Sequence, residues 1–215
     1  MAEGRSAGLS PRTAKVLVWA VLLAALWVYG RTHGAAPAPA DAAGASVQLL
    51  QGPGPRALKP LKGSDPVTLT VPGAGVEAPV IERGLDDTGA VDAPPFTSPG
   101  EVGWYRGGAR PGATGVALFV GHLDTATAPA VFYRLADVRP GERVRVTRED
   151  GRTAEFTVDR VETMDKRRFD AERVYGAHVK GRAEVRLITC GGRYEPDKKN
   201  YTANLVVSGY LTGKR

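Results

Sequence analysis

The strongest constraint on this chain lies after Asp65, where short runs of alternating or β-branched residues follow one another to the C-terminus, most of them separated by turn signals. The runs fall at 67–71, 76–81, 116–121, 143–147, 154–161, 184–190 and 204–211, and Pro72-Gly73, Pro111-Gly112, Pro140-Gly141 and Asp150-Gly151 punctuate them. A strand stops at such dipeptides, because proline lacks the N–H a ladder needs and glycine supplies the turn. Only 130–135 and 169–175 carry a helical texture, and both are short. Strands this numerous, with so little helix between them, predict a mainly β domain closed or nearly closed into a barrel, not a βαβ sheet.

A different texture precedes that domain. Arg5, Arg12 and Lys15 stand before the uncharged run VLVWAVLLAALWVYG at 16–30, and Arg31 follows it. At about 1.5 Å per residue the run is shorter than a hydrocarbon core of roughly 30 Å, so spanning needs Lys15 and Arg31 to snorkel and Trp27 and Tyr29 to sit at the interface. The basic flank predicts residues 1–15 in the cytoplasm, a single-pass transmembrane signal-anchor at 16–30 held by membrane lipid, and an extracytoplasmic β domain. The competing readings are a cleaved signal peptide, suggested by the short apolar run and Gly34-Ala35-Ala36, and a buried soluble helix. Trp27, Tyr29 and Arg31 make a poor approach to a cleavage site. Residues 31–64 are rich in Ala, Pro and Gly without apolar periodicity, which reads as an extended spacer leading to a domain at 65–215.

Two hundred and fifteen residues leave room for one domain beyond these segments. The net charge of +6 does not point to nucleic acid, because basic residues alternate with acids, as in Glu142-Arg143-Val144-Arg145, and read as a solvated surface. A basic face against anionic lipid or wall polymer fits the same charge. The single cysteine excludes an intramolecular disulfide, and in a chain directed out of the cytosol it is a candidate reactive group.

Two runs carry a reactive side chain where a strand is expected to end. Val116 to Val120 lead into Gly121-His122-Leu123-Asp124, and Val185 to Thr189 lead into Cys190-Gly191-Gly192. A thiol attacks as thiolate and its leaving amine needs a proton donor, so a cysteine and a histidine at strand mouths meet both needs. The glycines after Cys190 would leave room for a substrate backbone. Each residue also has a structural reading: a buried apolar thiol, a histidine at a strand end, and a Gly-Gly turn.

With these motifs the sequence resembles the sortases, the surface transpeptidases of Gram-positive bacteria. Leu187-Ile188-Thr189-Cys190 is similar to their cysteine motif and Gly121-His122-Leu123-Asp124-Thr125 to their histidine motif. Gly191-Gly192 and the later Tyr201-x-x-Asn204-Leu205-Val206-Val207 resemble class F sortases of actinobacteria, and the likeness runs over about 65–211, including Phe132-Tyr133-Arg134-Leu135. The resemblance implies a sortase barrel that cleaves an LPxTG-like sorting motif on surface proteins. Cys190 would form a thioacyl enzyme, His122 would act as acid and base, and a cell-wall precursor amine would be the acceptor. It also implies an arginine that binds substrate and stabilises the oxyanion, on the strand after the cysteine loop, roughly where Thr202-Ala203-Asn204 stand. No arginine is there. Arg193 is the nearest substitute, with Lys198 and Lys199 further along the loop; Arg106, Arg110 or backbone donors near Cys190 are the alternatives.

Asp124 could orient the imidazole or cap a turn. Thr189 should point to the side of its strand opposite Cys190 and is an accessory substrate-site residue, with Gly191, Gly192 and Asn204 beside it. His33 and His178 read as solvated. Three scattered histidines and one cysteine lack close ligand spacing, so no metal or other cofactor is expected; the resemblance allows calcium, which some sortases bind through acidic loop residues, and Asp86, Asp87 and Glu101 are available for it without diagnostic spacing. The alternatives to a transpeptidase are a hydrolytic or degenerate sortase-fold protein and a non-catalytic extracytoplasmic β-scaffold. An L,D-transpeptidase is disfavoured because its Ser/His and Gly pattern before the cysteine is absent.

Overall fold

The computed structural model describes residues 54–168, 170–198 and 200–215. Residues 1–53, which hold the expected anchor and most of the expected spacer, lie outside the described residues, as do Phe169 and Lys199. Among the described residues no helix is long and apolar enough to cross a membrane.

Eight strands form one closed barrel: β1 (Pro66–Val71), β2 (Val76–Arg83), β3 (Val102–Tyr105), β4 (Gly115–Val120), β5 (Arg143–Arg148), β6 (Thr153–Asp165), β7 (Ala183–Glu195) and β8 (Asn200–Lys214). Around the barrel they run β1-β2-β3-β4-β7-β8-β6-β5, and β5 closes on β1. The β2–β3 and β4–β7 pairs are parallel and the other pairs antiparallel. Closure removes the exposed edges that an open sheet would offer to other chains. Residues 54–64 form no strand but lie along the barrel, where Leu58 N–H donates to Leu211 O (2.9 Å) and Leu61 N–H to Gly112 O (2.7 Å).

Side-chain alternation divides each strand between two environments. Ala117 and Phe119 of β4, Val185 and Leu187 of β7, and Leu205 and Val207 of β8 face inward with Trp104, Phe132 and Phe156, forming the main core. Their neighbours Leu118, Val120, Ile188 and Val206 face outward and form a second apolar cluster with Val174, against which Val91, Ala93, Met164 and Tyr175 pack. Each such buried side chain contributes about 1.5–3 kcal/mol relative to an exposed one. Part of the outer wall is therefore covered by the loop after β2 and the connection after β6.

The structure corrects several local expectations. Residues 130–135 are not helical; Val131 N–H is drawn to Pro99 O (2.9 Å) and Phe132 N–H to His122 O (3.0 Å), leaving a 3-10 turn only at Leu135–Asp137. The helix expected at 169–175 is α1 (Ala171–Tyr175), whose Asp170 N-cap accepts from Arg173 N–H at 3.0 Å. β3 was not expected, since Val-Gly-Trp-Tyr has little alternation and sits among glycines and prolines. Cys190 does not end its strand: β7 runs on to Glu195, with its pairing to β8 shifted between Gly191 and Tyr194.

Candidate active site

Parallel pairing sets the site. Val120 of β4 lies beside Ile188 of β7, and two residues further along each chain stand His122 and Cys190. Gly121 N–H donates to Ile188 O at 3.2 Å, so the ladder reaches the residue before the histidine. Both functional side chains are half-buried and line one cavity of about 970 Å³.

His122 is fixed from two directions. A Cβ on Gly121 would lie 2.7 Å from the Phe132 ring, so only glycine lets that core ring close under the histidine loop. On the cavity side, the His122 Nε2–H donates to Pro94 O (2.6 Å), and the Phe96 ring stacks on the imidazole with centroids 4.1 Å apart. No hydrogen bond joins the imidazole to Cys190 among the described residues.

Cys190 shares the outward face of β7 with Ile188, and Asn204 pairs with it across β8. Thr189 points into the barrel, 3% exposed, and its hydroxyl oxygen has no hydrogen-bond partner among the described residues. The two glycines answer to β8: a Cβ on Gly191 would come 3.1 Å from Leu205 N. Gly192, at φ +77°, would bring one 2.6 Å from Thr202 Oγ1. They let the strands close over the irregular pairing after Cys190. The thiol sulfur is met by Lys166 Nζ at 3.8 Å, and that ammonium also donates to Asn200 Oδ1 at 2.7 Å.

Asp124 lines the same cavity, but its carboxylate accepts from the Tyr201 hydroxyl and not from His122. That bond to Asp124, with burial adding to it, pushes the Tyr201 phenol up to about 12. Asp124 thus ties the histidine loop to the start of β8.

The structure brings together Cys190, His122 and Asp124, with Asn204 alongside, but not Arg193. That side chain is 82% exposed, 3.9 Å from Glu195 and absent from the cavity wall. Lys198 is held by Glu195 at 2.8 Å. Arg106 and Arg110 follow the C-terminal end of β3, which runs antiparallel to β4, so they lie at the far end of the barrel from His122. There Arg106 pairs with Glu82 at 3.5 Å and Arg110 with Asp65. Asp86 serves its own turn, accepting from Thr88 N–H (2.8 Å) and Ala90 N–H (3.0 Å).

Sequence reasoning missed Lys166, Asn200 and the Pro94–Phe96 contact to the histidine. The available signals were a basic triplet, Lys166-Arg167-Arg168, and a phenylalanine set between prolines and a threonine in a loop. Chemically, a thiol beside an ammonium, with an imidazole just past the end of the adjacent strand, suits nucleophilic acyl transfer.

A sortase-domain family model matches residues 69–212. No curated protein matches the chain. Among solved structures, the chain is similar to a lid mutant of sortase A from Corynebacterium diphtheriae, with TM-score 0.53, 19% identity, and 71% of this chain and 73% of that one covered. It is similar to the complex of Streptococcus agalactiae sortase C1 and MTSET, with TM-score 0.52, 21% identity, and 68% and 66% covered. It is also similar to sortase A from Listeria monocytogenes, with TM-score 0.51, 20% identity, and 71% and 90% covered. At these identities the likeness speaks for the fold. The family match covers more than half of the sequence, and by it the chain belongs to the sortases, which are cysteine transpeptidases.

Proposed function

We propose that this sortase is a membrane-anchored, class F-like enzyme in which Cys190 is the nucleophile and His122 the acid and base. It cleaves an LPxTG-like motif on surface proteins and passes them to a cell-wall amine outside the cytoplasm. The observation that carries this reading is the parallel β4–β7 register, which sets His122 and Cys190 side by side on one cavity. Support for class F comes from Gly191-Gly192 and Tyr201-x-x-Asn204-Leu205-Val206-Val207, and support for anchoring from the apolar run at 16–30.

In this scheme the Cys190 sulfur bonds to the threonyl carbonyl carbon of the motif, and the π pair of the carbonyl moves onto oxygen. Collapse of that intermediate breaks the C–N bond, and the leaving amine takes the proton that His122 received from the thiol. An incoming amine reverses the sequence, giving up a proton to His122 as it displaces the sulfur. The Pro94 carbonyl that holds the His122 Nε2–H has to yield that hydrogen when the imidazole shuttles protons from this nitrogen.

The test uses full-length protein in detergent with an internally quenched LPxTG-type peptide, with and without an amine acceptor, beside Cys190→Ala. The expected result is cleavage that requires Cys190 and shifts to ligated product when amine is present. Free acid alone, even with amine, establishes the hydrolytic reading, which the absence of arginine from the cavity wall favours among the described residues. No cleavage across a panel of motifs by folded protein establishes the scaffold reading.

A further inference from the structure

The basic side chains that follow β6 and flank the β7–β8 turn differ in how their charge is used. Arg167 is matched by Asp165 at 2.9 Å, Arg173 by Glu162 at 3.0 Å, Arg193 by Glu195 at 3.9 Å and Lys198 by Glu195 at 2.8 Å. Lys166 is half-buried and makes no ion pair among the described residues; its ammonium is held by a neutral amide, Asn200, and by the Cys190 sulfur. A partly covered positive charge with no carboxylate partner is left to act on an anion that arrives beside it. The two groups it touches both line the cavity, so that is where an anion would meet it.

The topology explains how a residue just past β6 reaches a nucleophile on β7. β8 lies between them, with Met164 on one side of Asn204 and Cys190 on the other. Lys166, two residues past Met164, lies beyond the last β6 pair, Asp165 with Ala203, and its four-carbon stem crosses β8 there. The segment it crosses, Thr202-Ala203-Asn204, carries no charge. The following turn is pinned by Arg167 N–H donating to Asp165 Oδ1 at 2.8 Å, which fixes the lysine's starting point.

The geometry points to Lys166 as a catalytic residue of this sortase, the cation that stabilises the Cys190 thiolate and then the oxyanion formed when the sulfur adds to the substrate carbonyl. This rests on Cys190 being the nucleophile. When the C–S bond forms, the negative charge passes from sulfur to the carbonyl oxygen, and the ammonium beside the sulfur is within reach of both positions. Asn200 holds the ammonium in place without neutralising it.

Cys190 is the only cysteine, so thiol reagents report on one site in the full-length protein. The probe is a pair of methanethiosulfonates of similar size, one carrying a sulfonate and one a trimethylammonium, compared by their rates with wild type, Lys166→Met and Lys166→Arg. The expected result is a sulfonate-to-ammonium rate ratio that falls about tenfold or more in Lys166→Met, since a unit charge within a few ångströms acts with opposite sign on the two reagents. Lys166→Arg should keep the ratio, which a merely structural lysine would not require. In peptide cleavage, Lys166→Met should lose about 10²–10³ in kcat, as removal of an oxyanion donor does, and Lys166→Arg should recover part of it. An unchanged reagent ratio in Lys166→Met overturns the inference and leaves the Cys190 reading intact, as does normal kcat in that variant. Peptide turnover that survives Cys190→Ala overturns both.

Discussion

The outward face of β7 has a closed end at Glu184 and Arg186 and opens from Cys190 onward, and the two regions are built in opposite ways. At its start, Glu184 and Arg186 are completely covered and lie 2.7 Å apart. The Glu184 carboxylate also accepts from His178 N–H (3.0 Å), Val179 N–H (2.9 Å) and Arg182 Nε–H (2.9 Å). Burial alone would raise its carboxyl, but the His178 N–H and the Arg186 guanidinium, with the other donors, outweigh it and hold Glu184 below the ordinary carboxylate range. Where the face opens, Cys190 has one ammonium at 3.8 Å and lines the cavity. The closed end fixes a fold and the open end leaves charge unmatched for chemistry, with Ile188 as the apolar divider between them.

The comparison breaks most sharply if the open end carries no turnover. Cys190→Ala is expected to lower peptide cleavage by about four orders of magnitude or more, and His122→Ala nearly as much, as loss of a nucleophile or its base does. Calorimetry should find both variants melting within a degree or two of wild type, since both side chains lie outside the main core.

Stability should respond at the closed end. Glu184→Leu leaves the buried Arg186 guanidinium without its carboxylate and is expected to cost about 3–5 kcal/mol in urea unfolding, whereas Glu184→Leu with Arg186→Met, which removes that stranded charge, should recover part of the loss. If the double variant is as unstable as the single one, the ion pair is not what organises that end. For Glu184→Gln the sign follows from the carboxyl lying lower in the folded protein. Its contribution is present above the ordinary carboxylate range near pH 4 and is lost as pH falls through the depressed value. The stability gap between wild type and Glu184→Gln should therefore narrow as pH drops from 7 toward 3.

Smaller effects sharpen the boundary of the open end. In alkaline titration followed by phenol absorbance, one tyrosine should ionise at about 12, and Asp124→Asn should move that step down toward about 10. Arg193→Ala is expected to change kcat by about twofold at most, the usual scale for an exposed loop charge. A loss of two orders of magnitude there would return the oxyanion role to Arg193.

Most of the barrel was legible because a strand with one face in the core writes its alternation into the sequence, as Val144 and Val146 do in β5. β3 was illegible because Gly103 leaves room for the Arg83 stem, Val120 and Pro94 instead of marking a face. The cysteine and histidine were legible as rare residues beside glycines. The cation was not, because Arg193 is three positions from Cys190 in the chain while Lys166 is its neighbour only through two strand pairings. Asp124 was read as a group that orients the imidazole or caps a turn, both local roles, and its hydroxyl partner is Tyr201, 77 residues away. Nothing in the sequence marks Glu184 and Arg186 as buried, because the backbone that meets them, Gly176 O, His178 N–H and Val179 N–H, belongs to the irregular segment after α1.

The parallel β4–β7 pair also governs time. Its two strands are separated in sequence by β5, β6 and α1, so the chain has to close a long loop before that pair returns any contact energy. Barrels dominated by such non-local pairings fold slowly, on the order of milliseconds to seconds. The thiol and the imidazole become neighbours only in molecules that complete this step, so a chain caught before closure exposes a cysteine with neither the imidazole nor the cavity beside it.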